Sequence, residues 1–279
     1  MSAAKISVAK KAIRHIEKKI TQETILGIGT GSTVNFFIQE LEALKNQFHG
    51  VVSTSEASSE QLKELNIDVF SLNDVNQIDF YIDGADEVSP ENFLIKGGGG
   101  AHTREKIVAA AAKEFICIID ESKLVDKLGS FPLPIEVIPE SRSLVSRRII
   151  ALGGVPQYRE GFITDQGNQI IDVKNLNIEE PEALEALLNN IPGVVDNGIF
   201  AFNKPRIVLV ADWKDYKSSS ILEISSIESG LTLDPYVETT SPSLEIKYLL
   251  KFHFGETPDC AISSVSYTHL TLPTNGCVV

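Results

Sequence analysis

Apolar residues in the first half of the chain fall into short blocks closed by turn formers: "TILGIG", "VVSTS", "IDVFSL", "FYIDGAD" and "FICIID". Between these blocks, "TVNFFIQELEALKNQF", "SSEQLKELN" and "TREKIVAAAAKE" repeat their apolar positions every three to four residues. A strand buried on both faces has no polar side to show, whereas a helix lying on a sheet shows an apolar stripe. The alternation predicts an α/β fold, a Rossmann-like parallel sheet with helices on both faces. Ahead of it, Ile6, Ala9, Ile13, Ile16 and Ile20 recur at helical spacing and predict a first helix running into the first strand.

Around Phe131 the texture changes. "FPLPIEVIPE" carries Pro132, Pro134 and Pro139, a helical stretch spans Ser143 to Leu152, and "GFITDQGNQIIDV" reads as a hairpin turning at Asp165, Gly167 and Asn168. "PEALEALLNNIPGVV" then predicts a helix stopped by Pro192-Gly193. This β-α-β-β-α-β order predicts a second, smaller α+β domain of ferredoxin-like type. The expected division is 1–130 for the Rossmann-like domain, completed by 205–212 through "RIVLVAD", and 131–204 for the small domain. Residues 213–279 form an atypical tail, rich in Ser and Thr and weakly periodic, to which no chemistry is assigned.

The formal charge of -13 would repel a phosphate backbone and no basic patch offsets it, so a small molecule is the expected partner, with no nucleic acid and no membrane. No apolar run approaches the roughly 20 residues of a membrane span. Lys and Arg crowd the first 20 residues, but the helical stripe there argues for a structural helix over a targeting segment, which predicts a cytoplasmic protein. Cys117, Cys260 and Cys277 have neither metal-ligand spacing nor an even count, and Cys117 reads as a buried strand residue.

Two stretches carry candidate chemistry. "LGIGTGST" runs from a strand into a helix, where unpaired N–H groups and the helix dipole favour an anion. Gly27, Gly29 and Gly31 permit a tight turn, and Thr30, Ser32 and Thr33 add hydroxyl donors. The dinucleotide fingerprint needs glycine where Ser32 stands and the Walker pattern needs a following Gly-Lys, so a monophosphate fits best, against a plain capped turn. The second stretch places Asp83, Asp86 and Glu87 at a strand end, then Lys96, four glycines, Arg104 and Glu105. A divalent metal on the three carboxylates is an alternative that Lys96 would oppose. His102 reads as a surface or loop histidine, and four glycines imply close approach of a ligand.

In order, "GIGTGST", "DGADE", "IKGGGG...TREK", "SKLVDKLGSFPLPIEVIP", "GGVPQYR", "TDQGNQIIDV" and "IPGVVDNGIF" closely resemble ribose-5-phosphate isomerase of the A type, over about Lys5 to Asp212. The resemblance implies interconversion of ribose 5-phosphate and ribulose 5-phosphate in the non-oxidative pentose phosphate pathway, with no cofactor or metal, by a homo-oligomer, dimer or tetramer. It places substrate contacts on Thr30, Gly31, Ser32 and Thr33, on Asp83, Gly84, Ala85 and Asp86, on Lys96, Gly97, Gly98 and Gly99, and on Lys123. It places the proton-transferring glutamate on Glu105 and, with a one-residue shift, a phosphate-binding lysine on Lys10. Gly100 and His102 depart from the family's usual alanine and leucine, and the tail has no counterpart.

An aldose-ketose isomerase must move a proton between neighbouring carbons and hold an enediolate, so Glu105 is the expected base and acid, with Lys96 and the glycine backbone facing the oxyanion. Asp83 is the expected ring-opening group, and Asp86 is expected to orient Lys96 or a sugar hydroxyl. The rival is a sensor that binds the same sugar phosphate without chemistry, which needs the phosphate loop but not the base.

Overall fold

The apolar blocks become parallel strands of one sheet. The computed structural model describes residues 2–211 and 221–225. In chain order its first half runs α1 (Ser2–Glu17), β1 (Ile25–Ile28), α2 (Ser32–Leu41), β2 (Gly50–Ser53), α3 (Glu56–Glu64), β3 (Val69–Phe70) and β4 (Ile78–Asp83). Two short strands follow, β5 (Glu87–Val88) and β6 (Leu94–Ile95), then α4 (His102–Ala111) and β7 (Ala112–Asp120). The smaller layer comprises β8 (Leu133–Val137), α5 (Arg142–Ala151), β9 (Val155–Tyr158), β10 (Gln169–Lys174), α6 (Pro181–Asn189) and β11 (Val194–Asn197). Finally come β12 (Ile199–Phe200), β13 (Ile207–Ala211) and β14 (Ile221–Ser225).

The main sheet has the order β14-β13-β7-β4-β1-β2-β3, parallel throughout except for β14, which pairs antiparallel with β13. Within "RIVLVAD", Ile207–Ala211 forms β13, which pairs parallel with β7. The rest of the tail, 213–220 and 226–279, lies outside the described residues. One face of the sheet is closed by α1 and α2, where Val8, Ala12, Ile16, Phe37 and Leu41 pack on Ile28, Ile82 and Ile118. Each such fully buried Val, Leu, Ile or Phe side chain contributes about 1.5–3 kcal/mol. The buried stripe of α1 is centred on Val8 and Ala12, while Ile6, Ile13 and Ile20 are only half-buried at its border. Small side chains face the sheet because the helix lies close against it.

The second sheet has the order β11-β8-β10-β9, all antiparallel, which is the ferredoxin-like arrangement with α5 and α6 as its helices. Its hairpin is narrower than the sequence suggested. Residues 159–168 form a long connection closed by Thr164 N–H donating to Asn168 O, and Ile163 is 57% exposed. A third sheet, β12-β6-β5, joins the two layers. At the α4–β7 junction the alanine run stops being helical at Ala111, because Ala112 and Glu114 pair with Ile78 and Phe80 of β4. Ladder pairing overrides helix propensity there. Among the described residues no helix is long and apolar enough to cross a membrane.

Candidate active site

β1 and β4 are neighbours, yet the chain leaves β1 toward β2 on one side while β4 and β7 lie on the other. The carboxyl ends of strands at such a reversal open a crevice. Leaving β1, Gly29 N–H donates to Ile82 O at 2.9 Å, and Thr30 N–H donates to Asp83 Oδ1 at 3.1 Å. A Cβ on Gly29 would sit 1.9 Å from Asp83 Cγ, so only glycine lets the acid lie against the turn. Gly31 has φ 121° and begins α2 with no side-chain cap, leaving the first amides of that helix open to an anion. Lys5 of α1 donates to Ser32 Oγ at 2.7 Å.

Asp83, fully buried, accepts from the backbone of Thr30 and of Gly84 at 2.7 Å, from the hydroxyl of Tyr81, and from Lys96 Nζ at 2.8 Å. Lys96 also donates to Gly84 O at 2.7 Å and lies 3.1 Å from Glu105 Oε2. That last contact is a close ion pair without hydrogen-bond alignment, and Oε2 has no other partner among the described residues. Glu105 projects from the first turn of α4 and is 4% exposed. Burial, reinforced by Asp83 and opposed by Lys96, pushes its carboxyl from 4.5 up to about 8. Burial alone would lower Lys96, but Asp83 and Glu105 outweigh it and hold the ammonium above its usual range. The result is a fixed cation beside a carboxyl able to take up and release a proton near neutral pH.

The two glycine loops meet across the crevice: a Cβ on Gly99 would lie 3.9 Å from Thr30 Cγ2. Gly98 and Gly99 are exposed to it, and Gly98 N–H donates to Asp86 Oδ2 at 2.8 Å.

A family model, Ribose 5-phosphate isomerase A (phosphoriboisomerase A), matches residues 50–214. The chain is 56% identical over 211 residues to Ribose-5-phosphate isomerase A of Legionella pneumophila (strain Lens), covering 76% of this chain and 96% of that one. The chain belongs to the ribose 5-phosphate isomerase A family. A crystal structure of ribose 5-phosphate isomerase A from Neisseria gonorrhoeae superposes with a TM-score of 0.74 at 45% identity, covering 79% of this chain and 96% of that one. A D-ribose-5-phosphate isomerase solved in complex with phospho-erythronic acid gives 0.73 at 38% identity, covering 80% and 99%.

Against this family background the structure gathers Thr30, Asp83, Gly84, Asp86, Lys96, Gly98, Gly99 and Glu105 at one crevice, with Gly31, Ser32 and Thr33 at the start of α2. Ala85 lies between Gly84 and Asp86, and Gly97 is buried beneath the loop with φ +103°. Lys123 follows the end of β7 at the same sheet edge and is half-buried. Lys10 is elsewhere: its ammonium faces Glu40 at 3.7 Å, and Lys5 is the α1 lysine that reaches the loop. Asp86 binds Gly98 and not Lys96, whose orientation comes from Asp83 and Gly84. Asp83 thus has four donors around its two carboxylate oxygens. Glu87 turns away to the N–H groups of Gly129 and Phe131, so the three acids of "DGADE" do not converge as metal ligands would.

His102 is fully buried, not on the surface. It opens α4 beneath Gly97, where an added Cβ would meet its Nδ1 at 2.7 Å, and burial lowers its pKa from 6.5 to about 4, keeping the ring neutral. Sequence reasoning missed Tyr81, Thr54 and Ser58. Thr54 Oγ1 lies 2.9 Å from Thr30 Oγ1, and Ser58 Oγ donates to Gly29 O at 2.8 Å, bracing the first loop from behind. The hydroxyl-rich run "STSEASS" after β2 was the available signal.

Proposed function

We propose that the chain interconverts ribose 5-phosphate and ribulose 5-phosphate through an enediolate, within the non-oxidative pentose phosphate pathway. Family membership supports a sugar-phosphate isomerase, and the buried Glu105 carboxyl 3.1 Å from the Lys96 ammonium is the observation that carries the mechanism. The substrate phosphate occupies the amides and hydroxyls of Gly31, Ser32 and Thr33, with Lys5 as a counter-charge and Lys123 at the same rim. This grip fixes the far end of a five-carbon chain laid toward the second glycine loop.

Ionised Glu105 then removes the proton from C2 and returns it to C1, while the hydroxyl proton on O2 passes to O1, so the carbonyl moves from C1 to C2 and Glu105 is regenerated. Of the Lys96 contacts, Asp83 and Gly84 anchor the ammonium, which leaves its third N–H, beside Glu105 but not hydrogen-bonded to it, for the substrate oxygen that becomes negative. Gly99 and its neighbours supply further backbone donors, and Asp86 holds their loop. A sensor would need the phosphate loop but gains nothing from a carboxyl held near neutrality.

The test is conversion of ribose 5-phosphate to the ketopentose by the unsubstituted chain and by Glu105→Gln. The variant is expected to turn over at least about 10²-fold more slowly with little change in KM. Near-normal turnover would remove Glu105 from the role.

A further inference from the structure

Between the two sheets, Arg159 reaches from the end of β9 to the glycine loop of the catalytic crevice. Its guanidinium donates to Gly97 O from both terminal nitrogens at 3.3 Å and to Gly98 O at 3.2 Å. Its other edge forms a two-pronged pair with Asp172 of β10, Nε to Oδ2 at 2.9 Å and Nη2 to Oδ1 at 2.5 Å. Phe162 lies under the guanidinium at 5.3 Å, and the same ring closes over Gly100, where a Cβ would come 2.3 Å from Phe162 Cζ. The small sheet thus grips the loop that follows Lys96.

In a trans peptide the C=O and the next N–H point in opposite directions. With the carbonyls of Gly97 and Gly98 turned to Arg159, the N–H groups of Gly98 and Gly99 must leave the loop on its other side. Gly98 N–H shows this, donating to Asp86. Gly99 N–H has no partner among the described residues, and Gly99 is exposed opposite Thr30. A cation on the carbonyl also polarises the peptide and strengthens its N–H as a donor.

We infer that Arg159 is a positioning residue for the isomerisation: held by Asp172, it fixes and polarises the Gly97-Gly98-Gly99 peptides so that Gly99 N–H donates to the oxyanion of the enediolate. This inference rests on the isomerase reading above. Lysine cannot replace it, because a point charge cannot hold two carbonyls and a carboxylate in one plane.

The experiment compares the full chain with Arg159→Met, Arg159→Lys and Asp172→Asn in turnover, KM, inhibition by phospho-erythronic acid and by inorganic phosphate, and melting temperature. Loss of one preorganised donor lowers turnover about 10²- to 10³-fold, so weakening one from behind is expected to lower it about tenfold in Arg159→Met, with KM changed less than about threefold. Arg159→Lys recovers less than half of the loss. Phospho-erythronic acid should inhibit about tenfold more weakly, while inorganic phosphate, which reads only the first loop, inhibits as before. Turnover of Arg159→Met within about twofold of the unsubstituted chain overturns the inference, as does equal weakening of both inhibitors. Should Arg159→Met not fold, Asp172→Asn decides: a turnover loss of at least about threefold with phosphate inhibition intact supports the role, and unchanged turnover overturns it. If the unsubstituted chain itself fails to convert ribose 5-phosphate, the isomerase reading falls separately, since the two inhibitors still report the loop.

Discussion

Glu105 works against the fold that holds it. Its carboxyl is nearly buried beside Asp83, and its ionised form, the one the proposed reaction needs to remove a proton, is the form burial disfavours. Its folded pKa of about 8 stands above the ordinary 4.5, so the group's contribution to stability is fully present below about pH 4.5 and is lost as pH rises through about 8. Activity runs the other way. We therefore expect kcat/KM to climb with pH up to about 8 and then level, read above pH 7 where the substrate phosphate, with its second pKa near 6, is already fully charged. In the same series, Glu105→Gln should melt close to the unsubstituted chain at pH 5 and above it at pH 9. A melting difference that does not grow between those two pH values would contradict the raised pKa. Glu105, Lys96 and Asp83 were legible as residues because their chemistry and strand-end positions are local in sequence. Tyr81, Lys5 and the buried state of His102 were not, because each depends on a partner brought from another element.

At the scale of elements, α4 carries five consecutive polar residues, and four of them bind six residues from elsewhere in the chain. Thr103 donates to Glu136 of β8, Arg104 reaches Glu56 at 2.8 Å and Asp165 at 3.3 Å, Glu105 meets Lys96, and Lys106 lies 3.0 Å from Glu185 and 2.8 Å from Asp196. A helix docked by such directional contacts presents the Glu105 carboxyl in one orientation, which an apolar face would not enforce so narrowly. The Lys106 cluster is buried, so Lys106→Met strands two carboxylates away from water and should cost about 3–5 kcal/mol. Lys113→Met removes an ammonium that is 57% exposed beside Asp79 and should cost less than about 1 kcal/mol. Urea unfolding of the two variants measures the contrast, and equal costs would show that the buried cluster is not a structural joint. The elements themselves were mostly readable from the periodicity of "TILGIG", "FICIID" and "PEALEALLNN". What escaped was β5, β6 and β12, two residues each, too short to show any period although β6 and β12 deliver Lys96 to the crevice. The α4–β7 boundary escaped as well, since alanine favours helix and only pairing with β4 makes Ala112 a strand residue.

For the molecule as a whole, the crevice opens at the carboxyl edge of the parallel sheet, and the ferredoxin-like sheet braces its second glycine loop through Arg159. This division makes a prediction about the far edge of the main sheet. The relatives are covered almost to their full length by about three quarters of this chain, and β14 forms one edge of the main sheet. It pairs antiparallel with β13 from Ile207↔Ser225 to Ala211↔Ile221, while the crevice lies between β1 and β4, with β7 between β4 and β13. Removing β14 uncovers a row of backbone N–H and C=O groups on β13 and leaves every group of the crevice in place. A chain ended after Ser226 should therefore match the full chain in kcat/KM within about twofold and in melting temperature. A chain ended after Asp212 should keep kcat/KM at 25 °C within the same margin but melt lower by several degrees, about the shift that 1 kcal/mol produces in a domain of this size. Activity assays at 25 °C alongside thermal unfolding separate the two effects. If the shorter chain is folded yet loses activity, the edge strand acts on the crevice through β13 and β7, and the two functions of the sheet are not independent.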